Sequence, residues 1–346
     1  MTAPDLHEAM LYERRDGGAV QCHVCPRRCV IADGRSGVCR ARQNHGGTLY
    51  AITYERVCSV AADPIEKKPL YHFFPGSTVL SLGSVGCNFT CRHCQNWQIA
   101  YADATAVARD LRALPVRNLP VLADHNGCRG VAWTYNEPTI WLEYILDGAE
   151  VAHEHGLYTV MVTNGYITDE ALDLLAPQID AYRVDVKAFS VEAYHELCRI
   201  RDYEPILRAA MRAKHEFGCH VEIVTNVIPT LNDGETMLRD IARWIADELG
   251  PKTPWHVTRF MPYLEFAHLP ATPIRTLERA MEIGVEEGLR FVYIGNVPGH
   301  EGENTVCPNC KRLLVRRTGY EIEDVALRGT FCAMCGENVN IRTSLK

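Results

Sequence analysis

The sequence predicts an α/β fold, a full or partial TIM-like (β/α)6 barrel with a cysteine-rich segment on each side. Seven short runs rich in β-branched and aromatic residues alternate with amphipathic stretches between residues 78 and 298. Such alternation is typical of a parallel sheet covered by helices, and this number of repeats favours a barrel. A doubly wound open sheet would show the same alternation and remains the alternative. The hydrophobic content of 47% and the charged content of 23% are ordinary for a globular chain.

The predicted strands follow one another at intervals that leave room for a helix between most of them. In chain order they are TVLSLG (78–83), GVAWT (130–134), YTVMVTN (158–164), AYRVDVK (181–187), HVEIVTN (220–226), WHVTRF (255–260) and RFVYIG (290–295). Helices are expected over 138–156 and 233–250. The second begins at Asp233 and ends at Gly250, residue types that helix caps prefer.

The chain therefore divides into three parts. Residues 1–77 form an N-terminal cysteine-rich segment, residues 78–298 the barrel, and residues 299–346 a C-terminal module resembling a zinc ribbon. The stretch DPIEKKPLYHFFPG at 63–76 can be interpreted as an extended linker, because each proline blocks the interior of a helix.

Charge and hydropathy argue against two classes of partner. The net charge of −7 gives no overall attraction to nucleic acid, and the short basic stretch KRLLVRR (311–317) is expected to be solvated surface. No run reaches the length of a membrane span, and the acidic, mixed start differs from a signal peptide. We therefore expect a cytoplasmic protein without a membrane partner.

The fifteen cysteines are numerous for a reducing compartment, where disulfides rarely persist, and their clustering indicates metals. Three groups stand out, whereas Cys128, Cys198 and Cys219 are isolated and expected to be small buried hydrophobes. The groups are Cys22, Cys25, Cys29 and Cys39, with Cys58 nearby; Cys87, Cys91 and Cys94; and Cys307, Cys310, Cys332 and Cys335.

The second group, in CNFTCRHCQNW (87–97), has a CxxxCxxC spacing that supplies three thiolates but no fourth. It follows the first predicted strand directly, on the face where parallel barrels place their sites. A cluster held by three thiolates leaves one iron open to a small molecule. The alternative is a structural zinc site completed by a distant ligand such as His93.

The two outer groups are interpreted as separate metal sites. CPNC (307–310) and CAMC (332–335) form two knuckles typical of a four-thiolate site, with zinc the first choice and a rubredoxin-like iron the second. CHVCPRRC and Cys39 leave two options open, a zinc ion that staples the segment or an auxiliary iron–sulfur cluster. Zinc is the preferred of these two.

The CxxxCxxC stretch resembles the signature of the radical S-adenosylmethionine (SAM) enzymes. The resemblance implies a radical SAM barrel with a 4Fe–4S cluster on Cys87, Cys91 and Cys94, whose open iron is chelated by SAM. An electron, supplied by a reducing donor, then cleaves SAM to a 5′-deoxyadenosyl radical that abstracts hydrogen from a substrate. In this family an aromatic residue usually precedes the third cysteine, and here His93 takes that place.

Polar residues at later strand ends resemble the SAM-binding elements of the same family. Asn136 and Glu137 in TYNEP take the place of a Gly-Gly-Glu-Pro element, although a carboxylate favoured by a helix N-terminus would look the same. The further cofactor-binding candidates, each at or near the end of a predicted strand, are Thr163, Asn164, Asp185, Lys187, Asn226 and His256. Asp185 and Lys187 could instead form a buried ion pair, and His256 could be a core histidine.

Across residues 22–335 the combined motifs resemble one branch, the radical SAM component of the AmmeMemoRadiSam system. They include CHVCPRRC, DPIEKKPLYHFFPG, TYNEP, IGNVPGHEGENTVCPNC and the last CxxC. The resemblance implies partner proteins of that system and leaves the substrate, a small molecule or a protein, open. Thr-Asn-Gly and Asp-x-Lys also resemble glycyl-radical activating enzymes, such as that of pyruvate formate-lyase, which is the first alternative function. A metal-binding scaffold or electron carrier without catalysis is the second.

Overall fold

The computed structural model describes residues 6–345. Its strands are β1 (His7–Glu8), β2 (Tyr12–Arg14), β3 (Val20–Cys22), β4 (Val30–Ile31), β5 (Arg42–His45), β6 (Thr48–Ala51), β7 (Arg56–Val57), β8 (Ser59–Pro64), β9 (Thr78–Gly83), β10 (Arg112–Ala113), β11 (Gly130–Trp133), β12 (Tyr158–Thr163), β13 (Ala181–Asp185), β14 (His220–Val227), β15 (Trp255–Arg259), β16 (Val292–Gly295), β17 (Thr305–Val306), β18 (Leu313–Thr318), β19 (Glu321–Val325), β20 (Leu327–Arg328) and β21 (Phe331–Cys332).

Most of the α-helices lie between the strands of the large sheet. They are α1 (Trp97–Ala100), α2 (Ala104–Val107), α3 (Leu119–His125), α4 (Leu142–Glu154), α5 (Asp169–Leu175), α6 (Val191–Cys198), α7 (Glu204–His215), α8 (Glu235–Trp244) and α9 (Ile274–Glu286). Short 3-10 turns occur at Asp16–Gly18, Ile65–Lys67, Val116–Asn118, Pro138–Trp141, Ala176–Gln178, Leu264–Phe266 and Glu301–Glu303, and a π turn at Ile245–Leu249. Among the described residues, no helix has the length and apolar content needed to cross a bilayer.

The large sheet has eight strands in the order β16-β15-β14-β13-β12-β11-β9-β8. All neighbours are parallel except β8, which runs antiparallel to β9. The strand order follows the chain without the reversal of a doubly wound sheet, so that alternative is wrong. The edge strands β8 and β16 do not pair with each other, so the sheet corresponds to the partial form of the predicted barrel.

The predicted strands are confirmed, and the two predicted helices need correction at their starts. Residues 138–141 form a 3-10 turn before α4 begins at Leu142. Asp233 does not cap α8: its carboxylate accepts from Thr230 N at 2.8 Å, which stabilises the preceding turn, and Gly234 is the cap residue. Gly250, with φ of 88°, ends the helical segment as predicted.

The stretch 63–76 is not a linker. It continues from β8 and buries four large side chains against the sheet, in a cluster with Val79, Ala132 and Tyr158; they are Ile65, Leu70, Phe73 and Phe74. The prolines prevent a helix there, but the apolar residues around them have an apolar surface to cover. The large sheet therefore begins before the predicted boundary at residue 77.

The flanking segments pack directly on the large sheet. The N-terminal segment forms the small sheets β2-β3-β4 and β1-β6-β5, and its Val20, Ile31 and Leu49 join the main hydrophobic core. The C-terminal segment forms the sheet β17-β18-β19, in which β18 and β19 make a hairpin between the two cysteine knuckles. Leu314 and Val339 pack against Tyr71, Phe291 and Tyr293.

Candidate functional site

A cavity of about 490 Å³ opens at the carboxyl ends of the parallel strands. Its walls come from the loops after the strands, from residues 66–71, and from the C-terminal segment through Glu303, Gly319 and Tyr320. This volume lies within the range of ligand sites. The end of the sheet is also where parallel α/β folds gather polar side chains from several strands.

Cys87, Cys91 and Cys94 all line this cavity. They lie on the loop that follows β9, and backbone hydrogen bonds hold the loop in shape. Phe89 N donates to the Cys87 sulfur at 3.3 Å, and the Tyr101 hydroxyl donates to Cys91 O at 2.7 Å. The sequence thus placed this group correctly, on the first strand-to-helix loop.

Gly86 allows this loop to pass under the N-terminal segment. Its φ is +91°, which disfavours residues with a side chain, and a Cβ there would lie 2.4 Å from Cys39 O. Its N–H donates to Ile99 O at 2.9 Å. The residue before the first thiol is therefore in contact with the first cysteine group.

Cys198, predicted to be a buried hydrophobe, contacts the three-cysteine loop. It ends α6 with no exposed surface, and its thiol hydrogen-bonds to the Cys91 sulfur, which lowers the pKa of Cys91. Burial raises the pKa of Cys87, and it raises that of Cys94 to about 11. Cys198 does not line the cavity, and within residues 6–345 no set of three or more metal-ligating side chains that includes these thiols falls within 4.8 Å. No local sequence pattern indicates this contact, because Cys198 is far from the loop along the chain.

Asp185 and Lys187 pair with each other, as one interpretation predicted, and the pair lies on the cavity wall. Lys187 Nζ lies 3.0 Å from the Asp185 carboxylate, which Arg183 also contacts. Burial opposes ionisation of Asp185, but the two cations outweigh it and lower the pKa to about 2. Arg183 was missed, although R-x-D-x-K on one strand puts all three side chains on the same side.

Glu137 does not lie on the cavity wall, which corrects the expectation that it faces the cavity. One carboxylate oxygen accepts from Thr139 N at 2.9 Å and the Thr163 hydroxyl at 2.6 Å, and the other accepts from Asn164 N at 2.8 Å. Burial raises the pKa of Glu137 in spite of these bonds. Its side chain turns inward because three donors there satisfy it, and it positions Thr163 and Asn164, which do line the cavity.

Four cavity residues, among them Asn136 and His93, have a buried polar atom without a hydrogen-bond partner. The Asn136 side chain donates to Ser84 O at 3.1 Å, which leaves its Oδ1 without a donor. His93 has an unpartnered Nδ1 and stacks near Phe266, and burial lowers its pKa to about 3, so the ring is neutral. Unpaired buried polar atoms are costly unless a ligand satisfies them.

The last two candidates also reach the cavity but have partners in the protein. Asn226 donates to the Thr258 hydroxyl at 3.1 Å. His256 lines the cavity, yet its Nε2 lies 2.7 Å from the buried Glu222 carboxylate and its ring packs against Tyr71. This arrangement agrees with the alternative of a core histidine.

Two residues from outside the predicted barrel were missed: Lys68, which lines the cavity, and Arg317, which contacts two lining residues. Lys68, only 2% exposed, pairs with Asp63 at 2.7 Å. Arg317, expected in solvated surface, is buried; it stacks over the Tyr71 ring at 4.2 Å and lies 3.8 Å from Glu66. Both corrections arise because the flanking segments fold over the mouth of the sheet, which local sequence patterns do not reveal.

Away from the cavity, the C-terminal cysteines converge as predicted. Their sulfurs all lie within 4.8 Å of one another, with Cys307 to Cys335 at 3.6 Å and Cys310 to Cys332 at 3.7 Å. Four sulfurs around one tetrahedral zinc would be roughly 3.8 Å apart, given a Zn–S bond near 2.3 Å. The donor set and spacing therefore fit a single metal ion.

The comparisons with known proteins agree with this geometry. Residues 82–244 match the model of the radical SAM superfamily. Together with the fold and the three-cysteine loop, this defines the class: the chain belongs to the radical SAM superfamily and is an enzyme. An uncharacterized protein of Methanocaldococcus jannaschii is 43% identical over 338 residues, which make up 97% of this chain and 99% of that protein.

Other similar proteins match over part of the chain. A second Methanocaldococcus jannaschii protein, provisionally named a glycyl-radical enzyme activating enzyme, is 24% identical and covers 54% of this chain and 69% of its own. A domain of a pyruvate formate-lyase-activating enzyme from Bacteroides vulgatus has a TM-score of 0.41 and 19% identity, covering 48% of this chain and 99% of that one. Streptococcus suis SuiB has a TM-score of 0.48 and 14% identity, covering 63% and 49%.

Proposed function

We propose that this enzyme holds a 4Fe–4S cluster on Cys87, Cys91 and Cys94, cleaves SAM reductively, and abstracts hydrogen from a substrate in the same cavity. The observation that carries the proposal is the set of three thiols from one loop on the cavity wall. Among residues 6–345 no fourth metal-ligating group closes a single-ion cage around them. This supports a cluster with one coordination position left for a small-molecule chelate.

The unpaired polar atoms of the cavity suit the amino-acid part of SAM. Asn136 Oδ1 would accept from the SAM ammonium, and the ionised Asp185 would orient the same region. Lys187 and Arg183 keep Asp185 charged, and Glu137 holds Thr163 and Asn164 in place. His93, a flat neutral ring on the wall, would lie against the adenine.

The bound cluster would supply the electron for cleavage, and the protein's part is to bind, orient and exclude water. The stretch 66–71 and the C-terminal residues Gly319 and Tyr320 narrow the mouth of the cavity and would shield a reactive radical from solvent. A reducing electron donor is required, and partner proteins of the AmmeMemoRadiSam system are part of this proposal.

The test is formation of 5′-deoxyadenosine by anaerobically reconstituted protein with SAM and dithionite. We expect product from the wild type and none from Cys91→Ala. The matched control is Cys58→Ala, an exposed thiol outside the cavity, which should keep wild-type activity. Wild-type protein that binds iron but does not cleave SAM would overturn the proposal and favour the scaffold or electron-carrier alternative.

Activation of a glycyl-radical enzyme is a second candidate, supported by the provisional name of one relative. It predicts that the hydrogen is taken from a glycine of a protein. The distinguishing experiment presents a peptide with a central glycine and the same peptide deuterated at that glycine. Deuterium transfer into 5′-deoxyadenosine would support this candidate, and no transfer would speak against it.

We also propose that the C-terminal cysteines hold zinc. Sulfur–sulfur distances of 3.6 and 3.7 Å support one tetrahedral ion. A hydrogen bond from Glu337 N, together with the neighbouring thiols, lowers the pKa of Cys335 to about 6, so it is ready to bind metal as a thiolate.

A further inference from the structure

The first cysteine group lines a small cavity of its own, separate from the main one. Cys22, Cys25, Cys29 and Cys39 all face it, although they come from β3, from the loop before β4 and from the loop before β5. Cys22, Cys25 and Cys39 are each 8% exposed, and Cys29 is half-buried. Four thiols gathered on one buried cavity are typical of a metal site rather than of scattered hydrophobes.

Backbone hydrogen bonds distinguish the grouped cysteines from the isolated ones. At two of the four cysteines of the first group, the N–H two residues further on donates to the sulfur: Arg27 to Cys25 and Ala41 to Cys39. The same pattern occurs at Cys87 of the three-cysteine loop, where Phe89 N donates to the sulfur. It also occurs in the C-terminal group, where Arg312 donates to Cys310, Met334 to Cys332 and Glu337 to Cys335.

At the isolated Cys128 and Cys219 the direction of the hydrogen bond is reversed, because the sulfur is the donor. Cys128 donates its S–H to Asn126 O, and Cys219 donates to Ile179 O at 3.1 Å. Burial raises the pKa of Cys25 and Cys39, and an accepted N–H opposes that rise by favouring the thiolate, which is the form that binds metal. The first group therefore shares its local construction with the two groups already assigned to metals.

The spacing of the sulfurs separates a cluster from a single ion. The C-terminal four lie within 4.8 Å of one another and are the only such set of three or more ligand groups found in residues 6–345. The sulfurs of the first group do not all lie within this distance, and neither do those of the three-cysteine loop. A cubane places four irons between its thiolates, so its sulfurs stand further apart than those around one zinc.

A buried cation offsets the charge of these thiols. Arg42, 1% exposed, places Nη1 at 4.0 Å from the Cys22 sulfur while its other nitrogen pairs with Glu143. Hydrogen bonds to cluster sulfurs and neighbouring positive charge both stabilise the reduced form of an iron–sulfur centre. Arg27 lines the same cavity.

The first cysteine group and the three-cysteine loop are separated by one stretch of chain. Asn88, the residue after Cys87, lines the small cavity, and its carbonyl accepts a hydrogen bond from Arg27 Nε. On the other side of Cys87, Gly86 lies directly under Cys39 O. Residues 86–88 thus separate the main cavity from the small one.

From the convergence, the accepting sulfurs and the wide spacing, we propose that Cys22, Cys25, Cys29 and Cys39 hold a second 4Fe–4S cluster. This replaces the preference for zinc at this site. The assignment does not depend on SAM cleavage, so it can hold even if the proposed function fails.

The test is the metal and sulfide content of full-length protein reconstituted anaerobically with iron, sulfide and zinc. In the variant Cys87→Ala/Cys91→Ala/Cys94→Ala we expect about four irons and four sulfides per chain, with one zinc. After reduction by dithionite, this variant should show the electron paramagnetic resonance signal of a reduced 4Fe–4S cluster that added SAM leaves unchanged. The control Cys58→Ala/Cys128→Ala should match the wild type, with about eight irons.

The complementary variant Cys25→Ala/Cys39→Ala should lose about four irons. Circular dichroism checks its fold, and if it is unfolded the triple variant alone decides, because its changes lie on a loop. A triple variant with two zinc ions and no iron would overturn the proposal in favour of a zinc staple. A triple variant with one zinc and no iron would overturn it altogether.

Discussion

Replacing Glu137 by glutamine tests whether this residue positions the site or binds SAM itself. The carboxylate is 3% exposed and accepts from Thr139 N, the Thr163 hydroxyl and Asn164 N. An amide has one acceptor oxygen. If that oxygen replaces the one facing Thr139 and Thr163, the NH2 group meets Asn164 N–H, and in the opposite orientation it meets Thr139 N–H. Either way a buried backbone donor loses its acceptor.

The magnitude follows from these contacts. A lost hydrogen bond to a charged group costs about 1.5–3 kcal/mol, whereas removing the buried charge returns part of that, since burial raises the pKa of Glu137. We expect the free energy of unfolding to fall by about 1–2 kcal/mol. SAM affinity should fall by less, under about 0.7 kcal/mol, because the carboxylate does not face the cavity and acts only through Thr163 and Asn164.

The assay is urea unfolding of the anaerobic protein, followed by SAM titration of the reconstituted protein. Glu150→Gln is the matched control, since this glutamate lies on the exposed side of α4 and should change neither quantity. A Glu137→Gln protein of wild-type stability that binds SAM at least tenfold more weakly would refute the reasoning. The carboxylate would then contact SAM directly.

Three further predictions concern a carboxyl group, a glycine and a thiol. Burial raises the pKa of Glu66 from 4.5 to about 7, so the proton that this carboxyl holds in the folded state contributes stability below pH 4.5, and that stability is lost as the pH rises to 7. Over this range the free energy of unfolding of the wild type should fall by about 3 kcal/mol more than that of Glu66→Gln. Parallel curves of unfolding free energy against pH would contradict this. Gly86→Ala should lower the free energy of unfolding by about 2–4 kcal/mol, because φ is +91° and the Cβ would lie 2.4 Å from Cys39 O. A decrease of less than about 1 kcal/mol in urea unfolding would show that the loop adapts. Cys310→Ser should remove one metal equivalent and leave the iron content unchanged in elemental analysis, because its sulfur belongs to the set within 4.8 Å; retained zinc would contradict this.

The sequence predicted those parts of the molecule that depend on local patterns. The seven parallel strands could be located because each is a short β-branched run, and the order of the sheet follows the order of the chain. The three-cysteine loop could be placed because it directly follows β9. Asp185 and Lys187 could be assigned to one side of the predicted strand 181–187 by the period of two.

Contacts between segments distant in the chain could not be predicted in this way. Nothing near Cys198 indicates that it would contact Cys91, and nothing near Glu137 indicates that donors at 163 and 164 would turn it away from the cavity. From the sequence, Asp233 could either cap α8 or accept a hydrogen bond in the preceding turn, and only the structure shows that it does the latter. In each case a tertiary contact chose between alternatives that were equal in the sequence.

The closure of the cavity is the clearest case of such a contact, and it explains why the flanking segments belong to the enzyme. Arg317 of the C-terminal hairpin donates to Tyr71 O at 3.0 Å and faces Glu66, so two segments nearly 250 residues apart are joined at the cavity wall. Glu303, four residues before the first C-terminal cysteine, accepts from Gly299 N and Gly319 N and fixes the turn that presents Tyr320. A metal that orders the knuckles would therefore also order this wall. If the proposed C-terminal metal and the proposed radical site are both present, the metal would therefore influence the radical site through the shape of the cavity entrance, although the two sites share no ligand.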